Sequence, residues 1–362
     1  MDDLKRIFEL NNEEKSPLVI SGPCSAESQA QVMEIAEALC SIGIRYFRAG
    51  IWKPRTKPGG FEGVGSRGLS WLKEIKRKLD LTPVIEIATP VHLELALQNG
   101  INNFWIGART TTNPFAVQAI ADRLKSLDKG LKDRLTILIK NPVNPDLELW
   151  IGAIQRIYKS GLRRIGAIHR GFSSYGEHYY RNRPEWSIPL ELKHRMPELP
   201  LICDPSHIAG RRDLILPLSQ EALDLDFDGL MIETHCHPDK ALSDGGQQIT
   251  VSQLKDLLEK LITKREGSDN DALLVFRQEI DRIDNQLMSL LAQRMNVSKS
   301  IGEYKRKNNL PVWQSERYKE LMSRHLEDTV NNGLSDEFVK KILSAIHEES
   351  VRLQLSSDKK TE

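Results

Sequence analysis

Four cations crowd one short stretch of the chain, FRAGIWKPRTKPGG at residues 47–60. Pro54, Pro58, Gly59 and Gly60 interrupt this stretch, so it is predicted to be a loop rather than one face of a helix. Positive charges held this close repel one another, and a ligand that carries phosphate would offset the repulsion. A solvated basic loop is the competing interpretation. The cations of the stretch are Arg48, Lys53, Arg55 and Lys57.

Side chains that could bind a metal lie at the ends of other apolar runs. Cys24 lies in GPCS, His207 in CDPSH, Glu233 in MIETH and Asp244 in LSDGG. One thiolate, one imidazole and two carboxylates suit a divalent transition metal with open positions, whereas a hard alkaline-earth ion would not favour the thiolate. The HCHP run at residues 235–238 competes as a source of ligands, and spacing alone does not decide between them.

Further cations end apolar runs of the same kind: Arg109 in GART, Lys140 in IKNP and Arg170 in IHRG. Arginine suits two-pronged contacts with phosphate and carboxylate, and lysine acts as a point charge. A metal that polarises a carbonyl, opposite a wall of cations, suggests chemistry that joins a phosphorylated carbanion equivalent to a phosphorylated aldehyde.

The apolar runs alternate with helical patterns from about residue 17 to residue 262. Runs such as PLVISGP, TPVIEIA and DGLMIETH are followed by amphipathic stretches such as QAQVMEIAEALCSIG. Such alternation predicts a parallel sheet. Eight strand–helix pairs in about 245 residues is the size of a (β/α)8 barrel, with a doubly wound open sheet as the alternative. Barrel closure would make the first, seventh and eighth strands neighbours, which would bring the four candidate metal ligands together.

The pattern changes after the barrel region. Leu273, Phe276, Ile280, Ile283 and Leu287 recur at helical spacing, which predicts a long amphipathic helix ending before Pro311. Two shorter helices are predicted at about 314–330 and 335–355. The long helix cannot bury its whole apolar stripe against these two, so dimerisation through this domain is expected. The expected organisation is a short segment at 1–16, a barrel at 17–264, a linker at 265–271, a helical domain at 272–356 and a disordered tail at 357–362.

Composition excludes several classes of function. The 51 Lys and Arg residues nearly balance the 50 Asp and Glu residues, so no global charge favours nucleic acid. No apolar run approaches the roughly 20 residues that a membrane span needs, and the N-terminus lacks the apolar core of a signal peptide. Four widely spaced cysteines are typical of a reduced, cytoplasmic protein.

The barrel motifs resemble a known family. GPCS, RAGIWKPRT, IGART, IKNP, HRG, DPSH and IETH…ALSDGGQ occur in order across residues 21–248, as in the short-chain type I 3-deoxy-D-arabino-heptulosonate 7-phosphate (DAHP) synthases. The resemblance implies condensation of phosphoenolpyruvate with erythrose 4-phosphate, with a divalent metal, Mn²⁺ first and Fe²⁺, Co²⁺ or Zn²⁺ as alternatives. It implies that the metal ligands are Cys24, His207, Glu233 and Asp244, that Arg48, Lys53, Arg109, Lys140 and Arg170 contact phosphoenolpyruvate, and that Arg55 and Thr56 hold the erythrose phosphate.

A sibling family makes 3-deoxy-D-manno-octulosonate 8-phosphate from arabinose 5-phosphate and shares this barrel. It carries a loop similar to KANRS where this chain has KPRT, so the DAHP reading is preferred. The HCHP run departs from the His-Pro-Asp that relatives commonly carry, and Cys236 and His237 are then not expected to be ligands.

The helical domain resembles the all-helical chorismate mutases along LLVFRQEIDRIDNQLMSLLAQRMNVSKSIGEYKRKNNLPVWQSER and HEESVRLQ. That resemblance implies an interlaced homodimer, with higher assembly left open, that rearranges chorismate to prephenate without a cofactor. Tyr318 and Gln314 stand where the family often has glutamate and aspartate. The residues implied in this site are Arg277, Arg294, Lys305, Arg317, Ser350 and Gln354.

The resemblance leaves two interpretations of the helical domain. The leading interpretation makes it both an active mutase and a sensor through which prephenate inhibits the barrel. The alternative makes it a binding module without useful turnover.

Overall fold

The computed structural model describes residues 3–5, 7, 17–53, 59–176, 179–262, 271–327 and 333–356. The chain divides into two compact units, Met1–Arg265 and Glu266–Glu362. The linker predicted at 265–271 lies outside the described residues up to residue 270, and so does the whole of the tail predicted at 357–362.

Eight parallel strands form a closed barrel in chain order, and the last strand pairs with the first. The predicted (β/α)8 barrel is thereby confirmed over the open sheet. Leu18 to Gly22 of the first strand align with Gly229 to Glu233 of the last, so the seam is in register along its whole length. The strands are β1 (Leu18–Gly22), β2 (Tyr46–Arg48), β3 (Thr82–Ile87), β4 (Asn103–Ile106), β5 (Thr136–Lys140), β6 (Ile165–His169), β7 (Leu201–Cys203) and β8 (Gly229–Glu233).

Helices cover the outside of the barrel, and their starts are encoded locally. Thr89 and Asn113 cap two helices whose first residue is proline, and Thr250 forms a capping box with Gln253. The helices of this unit are α1 (Gln29–Ser41), α2 (Arg67–Leu79), α3 (Pro90–Gln98), α4 (Ala108–Thr111), α5 (Pro114–Lys125), α6 (Lys129–Lys132), α7 (Leu147–Lys159), α8 (Ser187–Arg195), α9 (Pro205–Ala209), α10 (Ile215–Asp224) and α11 (Val251–Lys260).

Two apolar cores follow from the alternation of side chains along each strand. The larger core lies between strands and helices, and the smaller one includes Ile20, Val84, Trp105 and Met231. Ile7 belongs to the smaller core, and its carbonyl accepts a hydrogen bond from the Thr136 hydroxyl at 3.2 Å. The polar side chains at the strand ends lie above this smaller apolar core.

The second unit contains three described helices, α12 (Asp271–Lys307), α13 (Ser315–Glu327) and α14 (Asp336–Ser356). The predicted three-helix domain is thereby confirmed. Helices α12 and α14 approach closely at Gly302, where an added Cβ would lie 2.9 Å from the Gln354 Cα. The apolar stripe of α12 stays open to solvent in the single chain, since Phe276 is 67% and Leu290 62% exposed.

Within the described ranges, no helix combines the length and the apolar character that crossing a bilayer requires.

Candidate active sites

The polar side chains of the barrel unit gather where the strands end. Gly22, the last residue of β1, has φ of +144°, and a Cβ at this position would collide with the Arg48 carbonyl oxygen. Glycine therefore allows the β1 and β2 backbones to meet closely just before Cys24.

Asp204 is the centre of the hydrogen-bond network in the barrel mouth. Its Oδ2 accepts a hydrogen bond from Lys140 Nζ at 2.6 Å and lies 2.9 Å from His207 Nδ1. Arg48 Nη1 lies 3.8 Å from the same oxygen. Burial alone would raise the pKa of this carboxyl, but His207, Lys140 and Arg48 outweigh it and hold the pKa well below the usual range. Asp204 is therefore an anion that orients the imidazole and both cations.

Arg48 is a buried cation with spare hydrogen-bonding capacity. Its Nη2 donates to Glu233 Oε1 at 2.8 Å, and its guanidinium lies 5.2 Å from the centre of the Trp105 ring. Burial would lower its pKa, but Glu233 and Asp204 raise it above the usual value. Its Nε and Nη1 have no hydrogen-bond partner among the described residues. Unpaired donors on a buried guanidinium are suited to an anionic ligand.

Cys24 and Asp244 form the first pair of predicted metal ligands. The buried Cys24 Sγ lies 3.1 Å from Asp244 Oδ2 and 3.2 Å from Lys53 Nζ. Burial, reinforced by the charge of Glu233, raises the pKa of this thiol to about 12. Asp244 has φ of +49°, an uncommon conformation that aspartate tolerates, and Arg181 Nη1 contacts its carboxylate at 3.1 Å.

Glu233 and His207 form the second pair. Glu233 Oε1 lies 3.8 Å from His207 Nε2, and its Oε2 accepts a hydrogen bond from Gln247 Nε2 at 2.7 Å. Burial would raise the pKa of Glu233, but the charges of His207, Arg48 and Lys53 hold it below the usual value. Burial lowers the pKa of His207 and outweighs the opposing charges of Asp204 and Glu233.

The two pairs provide donor atoms that suit a transition metal, although the four side chains do not converge on one point. In the part of the chain that is described, no group of three or more His, Cys, Asp or Glu side chains is arranged to hold a metal ion as it stands. The pairs still interact, since Glu233 acts on Cys24 and His207 acts on Asp244 through their charges. A thiol, an imidazole and two carboxylates at one barrel mouth fit a divalent transition metal.

The remaining predicted cations surround this centre unevenly. Arg170 donates from Nη1 to Asn182 Oδ1 at 2.7 Å. Burial lowers the pKa of Arg170 to about 10. The charges of Arg181 and Arg109 add to this effect, and the charge of Asp204 opposes it. Arg109 itself is exposed at the start of α4. The backbone N–H of Lys53 donates to the Glu62 carbonyl at 2.9 Å, which fixes the base of the cationic loop. Arg55, Thr56 and Lys57 lie outside the described residues.

His235, the first residue of the HCHP run, has partners of its own. His235 Nε2 lies 3.5 Å from Glu27 Oε2, and its Nδ1 accepts a hydrogen bond from the His237 backbone N–H at 2.9 Å. Glu27 also accepts from the Leu242 backbone N–H at 2.7 Å, so this cluster braces the loop that carries Asp244.

In the helical unit, one chain brings four of the six predicted residues together. Arg294 Nη1 donates to Ser350 Oγ at 2.6 Å, and Lys305 Nζ donates to the Val312 carbonyl at 2.7 Å. Gln354 Oε1 is buried without a hydrogen-bond partner in the described structure. Burial lowers the pKa values of both Arg294 and Lys305.

Arg277 and Arg317 are not in this group. Arg277 precedes Arg294 by 17 residues on the same helix, which separates their Cα atoms by about 25 Å at 1.5 Å per residue. Arg317 is exposed, and its Nη1 contacts Glu320 at 2.7 Å.

Sequence reasoning gave no role to several residues of these sites. Asp204 lies in the CDPSH run quoted for His207, and its position before Pro205 is that of a helix cap. Gln247 and Arg181, which contact Glu233 and Asp244, have no signal of their own beyond the quoted ALSDGGQ motif for Gln247. His347, described below, has no signal beyond the quoted HEESVRLQ motif, because its aromatic neighbours lie about thirty residues away in sequence.

A closed parallel barrel with buried cations beside thiol, imidazole and carboxylate donors defines an enzyme that acts on anionic substrates. The family model of the DAHP synthetase I family matches residues 9–268, and that of chorismate mutase type II matches residues 276–355.

Individual relatives agree with these matches. The chain is 32% identical over 244 residues to the phospho-2-dehydro-3-deoxyheptonate aldolase of Thermotoga maritima, covering 67% of this chain and 68% of that protein. It is 29% identical to the 2-dehydro-3-deoxyphosphooctonate aldolase of Desulfotalea psychrophila, covering 68% of this chain and 89% of the relative. The crystal structure of a Thermotoga maritima DAHP synthase superimposes with a TM-score of 0.62 at 29% identity, over 72% of this chain and 73% of the other.

The chain therefore belongs to the DAHP synthetase I family and carries a chorismate mutase type II domain after the barrel. It is a multifunctional transferase and isomerase of aromatic amino acid biosynthesis, with DAHP synthase and chorismate mutase joined in one polypeptide.

Proposed function

We propose that the barrel condenses phosphoenolpyruvate with erythrose 4-phosphate, forming a carbon–carbon bond and releasing phosphate. The observation that carries this proposal is the buried Arg48, whose unpaired donors lie beside Lys140 and above Trp105. A trianionic substrate would supply the hydrogen-bond acceptors that these buried cations lack.

Five cations would divide the anionic groups of phosphoenolpyruvate. Lys53, Arg48 and Lys140 are held by contacts to Cys24, Glu233 and Asp204, so they are oriented before the substrate binds. Arg109 and Arg170 would complete the set from the neighbouring strand ends. Arg55 and Thr56 would hold the phosphate of the sugar.

Cys24, His207, Glu233 and Asp244 would hold a divalent metal, with Mn²⁺ the first candidate and Fe²⁺, Co²⁺ or Zn²⁺ the alternatives. Such an ion supplies Lewis acidity toward the aldehyde carbonyl. The chain's own part is to bring the thiol of Cys24 into this set, and Lys53 must first release the sulfur that it now contacts.

The barrel substrate is tested by comparing two aldehydes. We expect the full chain to use erythrose 4-phosphate at least about 100-fold more efficiently, in kcat/KM, than arabinose 5-phosphate, because a pocket shaped for a shorter sugar leaves the extra hydroxymethylene group badly placed. A coupled phosphate-release assay with each aldehyde measures this ratio. A preference for arabinose 5-phosphate would assign the barrel to the octulosonate branch.

The helical unit is proposed to rearrange chorismate to prephenate. This reaction is unimolecular and needs a clamp for two carboxylates and positive charge beside the ether oxygen. Arg294 and Arg277 would hold carboxylates with Arg317, while Lys305 and Gln354 would face the ether oxygen. Ser350 orients Arg294 through their 2.6 Å hydrogen bond.

A homodimer of the helical units would complete this site. Arg277 cannot reach Arg294 of its own chain across about 25 Å of continuous helix. A partner's α12 laid against the exposed stripe at Phe276 and Leu290 would bury apolar surface and deliver the missing arginine. Higher assembly and a cytoplasmic location stay predictions from the sequence.

Feedback by prephenate is the regulatory part of the proposal, and it is tested by titration. We expect prephenate to inhibit the synthase of the full chain, because a product bound by the helical unit shifts the population of chains toward a less active state. The Arg294→Ala chain should need about tenfold or more prephenate for the same inhibition, since it lacks one carboxylate contact.

Initial synthase rates at increasing prephenate give both curves. Equal inhibition of the two chains would place the effector site in the barrel. Inhibition of the full chain without any rearrangement of chorismate would favour the alternative in which the helical unit only senses its ligand.

A further inference from the structure

An aromatic cluster formed by α13, α14 and the segment just before α13 holds a histidine that the proposed mutase chemistry does not use. The His347 ring lies 4.4 Å from Tyr318 and 5.1 Å from Trp313, measured between ring centres. The Tyr318 hydroxyl lies 3.3 Å from Ser344 Oγ, which fixes the tyrosine ring against the imidazole. The Tyr318 and Trp313 rings therefore hold His347 in one orientation.

This histidine borders the cationic site. His347, Ser350 and Gln354 recur at three- and four-residue spacing on α14, so they share one face of the helix. Arg294 and Lys305 both act on the imidazole through their charges. His347 is thus next to the groups that would bind the carboxylates and the ether oxygen.

His347 offers a hydrogen-bonding atom that no described group uses. Its Nε2 is buried and has no hydrogen-bond partner within the described ranges. Burial lowers the pKa of the ring, Arg294 and Lys305 lower it further, and Glu348 opposes them, so the environment favours the neutral ring. A neutral imidazole with its proton on Nδ1 presents Nε2 as an acceptor.

Chorismate has one polar group that the cations do not satisfy. Its two carboxylates and its ether oxygen accept hydrogen bonds, whereas its ring hydroxyl is a donor and needs an acceptor. Within the described helical unit, the buried side-chain acceptors without a partner are His347 Nε2 and Gln354 Oε1. The Gln354 amide is assigned to the ether oxygen, to which its Nε2–H would donate, so His347 Nε2 is the one of the two with no assigned role.

We propose that His347 Nε2 accepts the hydrogen bond of the substrate's ring hydroxyl, and that Tyr318 and Trp313 hold the imidazole for this contact. This proposal rests on the proposed mutase function. It gives the site a neutral acceptor for the hydroxyl beside the Tyr318 ring.

The test pairs two variants with two substrates in the full-length chain. The substrates are chorismate and its analogue with hydrogen in place of the ring hydroxyl. His347→Phe keeps an aromatic ring in the cluster and removes the acceptor, whereas His347→Gln keeps an acceptor. His325→Phe, which changes an exposed histidine of α13, is the matched control.

We expect His347→Phe to lower kcat/KM for chorismate by about 10- to 100-fold, because the buried hydroxyl loses its acceptor. The same variant should change kcat/KM for the analogue by less than about threefold, and His347→Gln should recover part of the activity toward chorismate. The control should match the wild type with both substrates, and thermal unfolding confirms that each variant folds.

Equal losses with both substrates would show that His347 only packs, and would overturn the inference while leaving the mutase function in place. Unchanged turnover of chorismate by His347→Phe would overturn it as well. Failure of the wild-type chain to rearrange chorismate would overturn the proposed function and this inference together.

Discussion

Exhaustive treatment of the full chain with EDTA should abolish the condensation and leave the rearrangement of chorismate unchanged. The barrel would lose the Lewis acid held by Cys24, His207, Glu233 and Asp244, an effect of several kcal/mol on the transition state. The helical site contributes only cationic and neutral polar groups, so it has nothing for a chelator to remove. Parallel assays of phosphate release and of chorismate disappearance measure both outcomes, and added Mn²⁺ should restore the first.

Two cysteine variants make this prediction specific to one thiol. Cys24→Ala should lower synthase kcat/KM by about 100-fold or more, without recovery on addition of Mn²⁺. Cys40→Ala removes an exposed thiol whose Sγ faces the Leu79 carbonyl, and it should behave as the wild type. Full synthase activity after verified removal of metal would refute the ligand assignment. Equal losses of activity in the two cysteine variants would show that the loss in Cys24→Ala comes from impaired folding.

Replacement of Arg294 by alanine should lower mutase kcat/KM by about 1,000-fold, because a desolvated charge-assisted contact to a carboxylate is lost. Synthase turnover without effector should stay within about twofold of the wild type, since no barrel residue changes. Arg277→Ala should produce a comparable loss in the mutase, although it lies about 25 Å along the helix from Arg294. Steady-state assays of both reactions on each variant test this directly.

Mixing the two variants tests whether the site is shared between subunits. If Arg277 serves the partner's site, each mixed dimer regains one intact site of two, and half of the dimers are mixed. Refolding the two chains together in equal amounts should therefore restore about a quarter of the wild-type activity. The matched control refolds each variant alone, which should restore none. If the mixture is shown to contain mixed dimers and still recovers no mutase activity, then Arg277 acts within its own chain or not at all.

The fold was predictable because its signals are local. Apolar runs of about five residues, such as those at β1 and β8, alternate with helices whose starts carry caps such as Thr89 and Asn113. Barrel closure then follows from the strand count, and closure alone predicts that Cys24 and Asp244 meet although 220 positions separate them.

The partners of the site residues were less predictable, because they depend on packing between distant segments. Asp204 contacts Lys140 from another strand, and Arg181 reaches Asp244 from the loop after β6. No periodicity specifies such pairs. The same holds for His347, whose proposed role depends on Trp313 and Tyr318 lying against it and on a ring nitrogen that has no partner among the described residues of the folded chain.

The seam between β1 and β8 has a consequence for how the enzyme is made. The Ser21 hydroxyl donates to the Ile232 carbonyl across 211 positions of sequence, and the thiol and carboxylate of the first ligand pair meet across the same seam. During synthesis on the ribosome, Cys24 emerges long before β8 and the loop that carries Asp244. The intervening residues take on the order of 10 to 50 seconds to synthesise at 5–20 residues per second. During this interval the nascent chain exposes a thiol and an open strand edge with neither partner present. Chaperone binding to the unfinished barrel should therefore peak before residue 229 leaves the exit tunnel and decline once the seam can close.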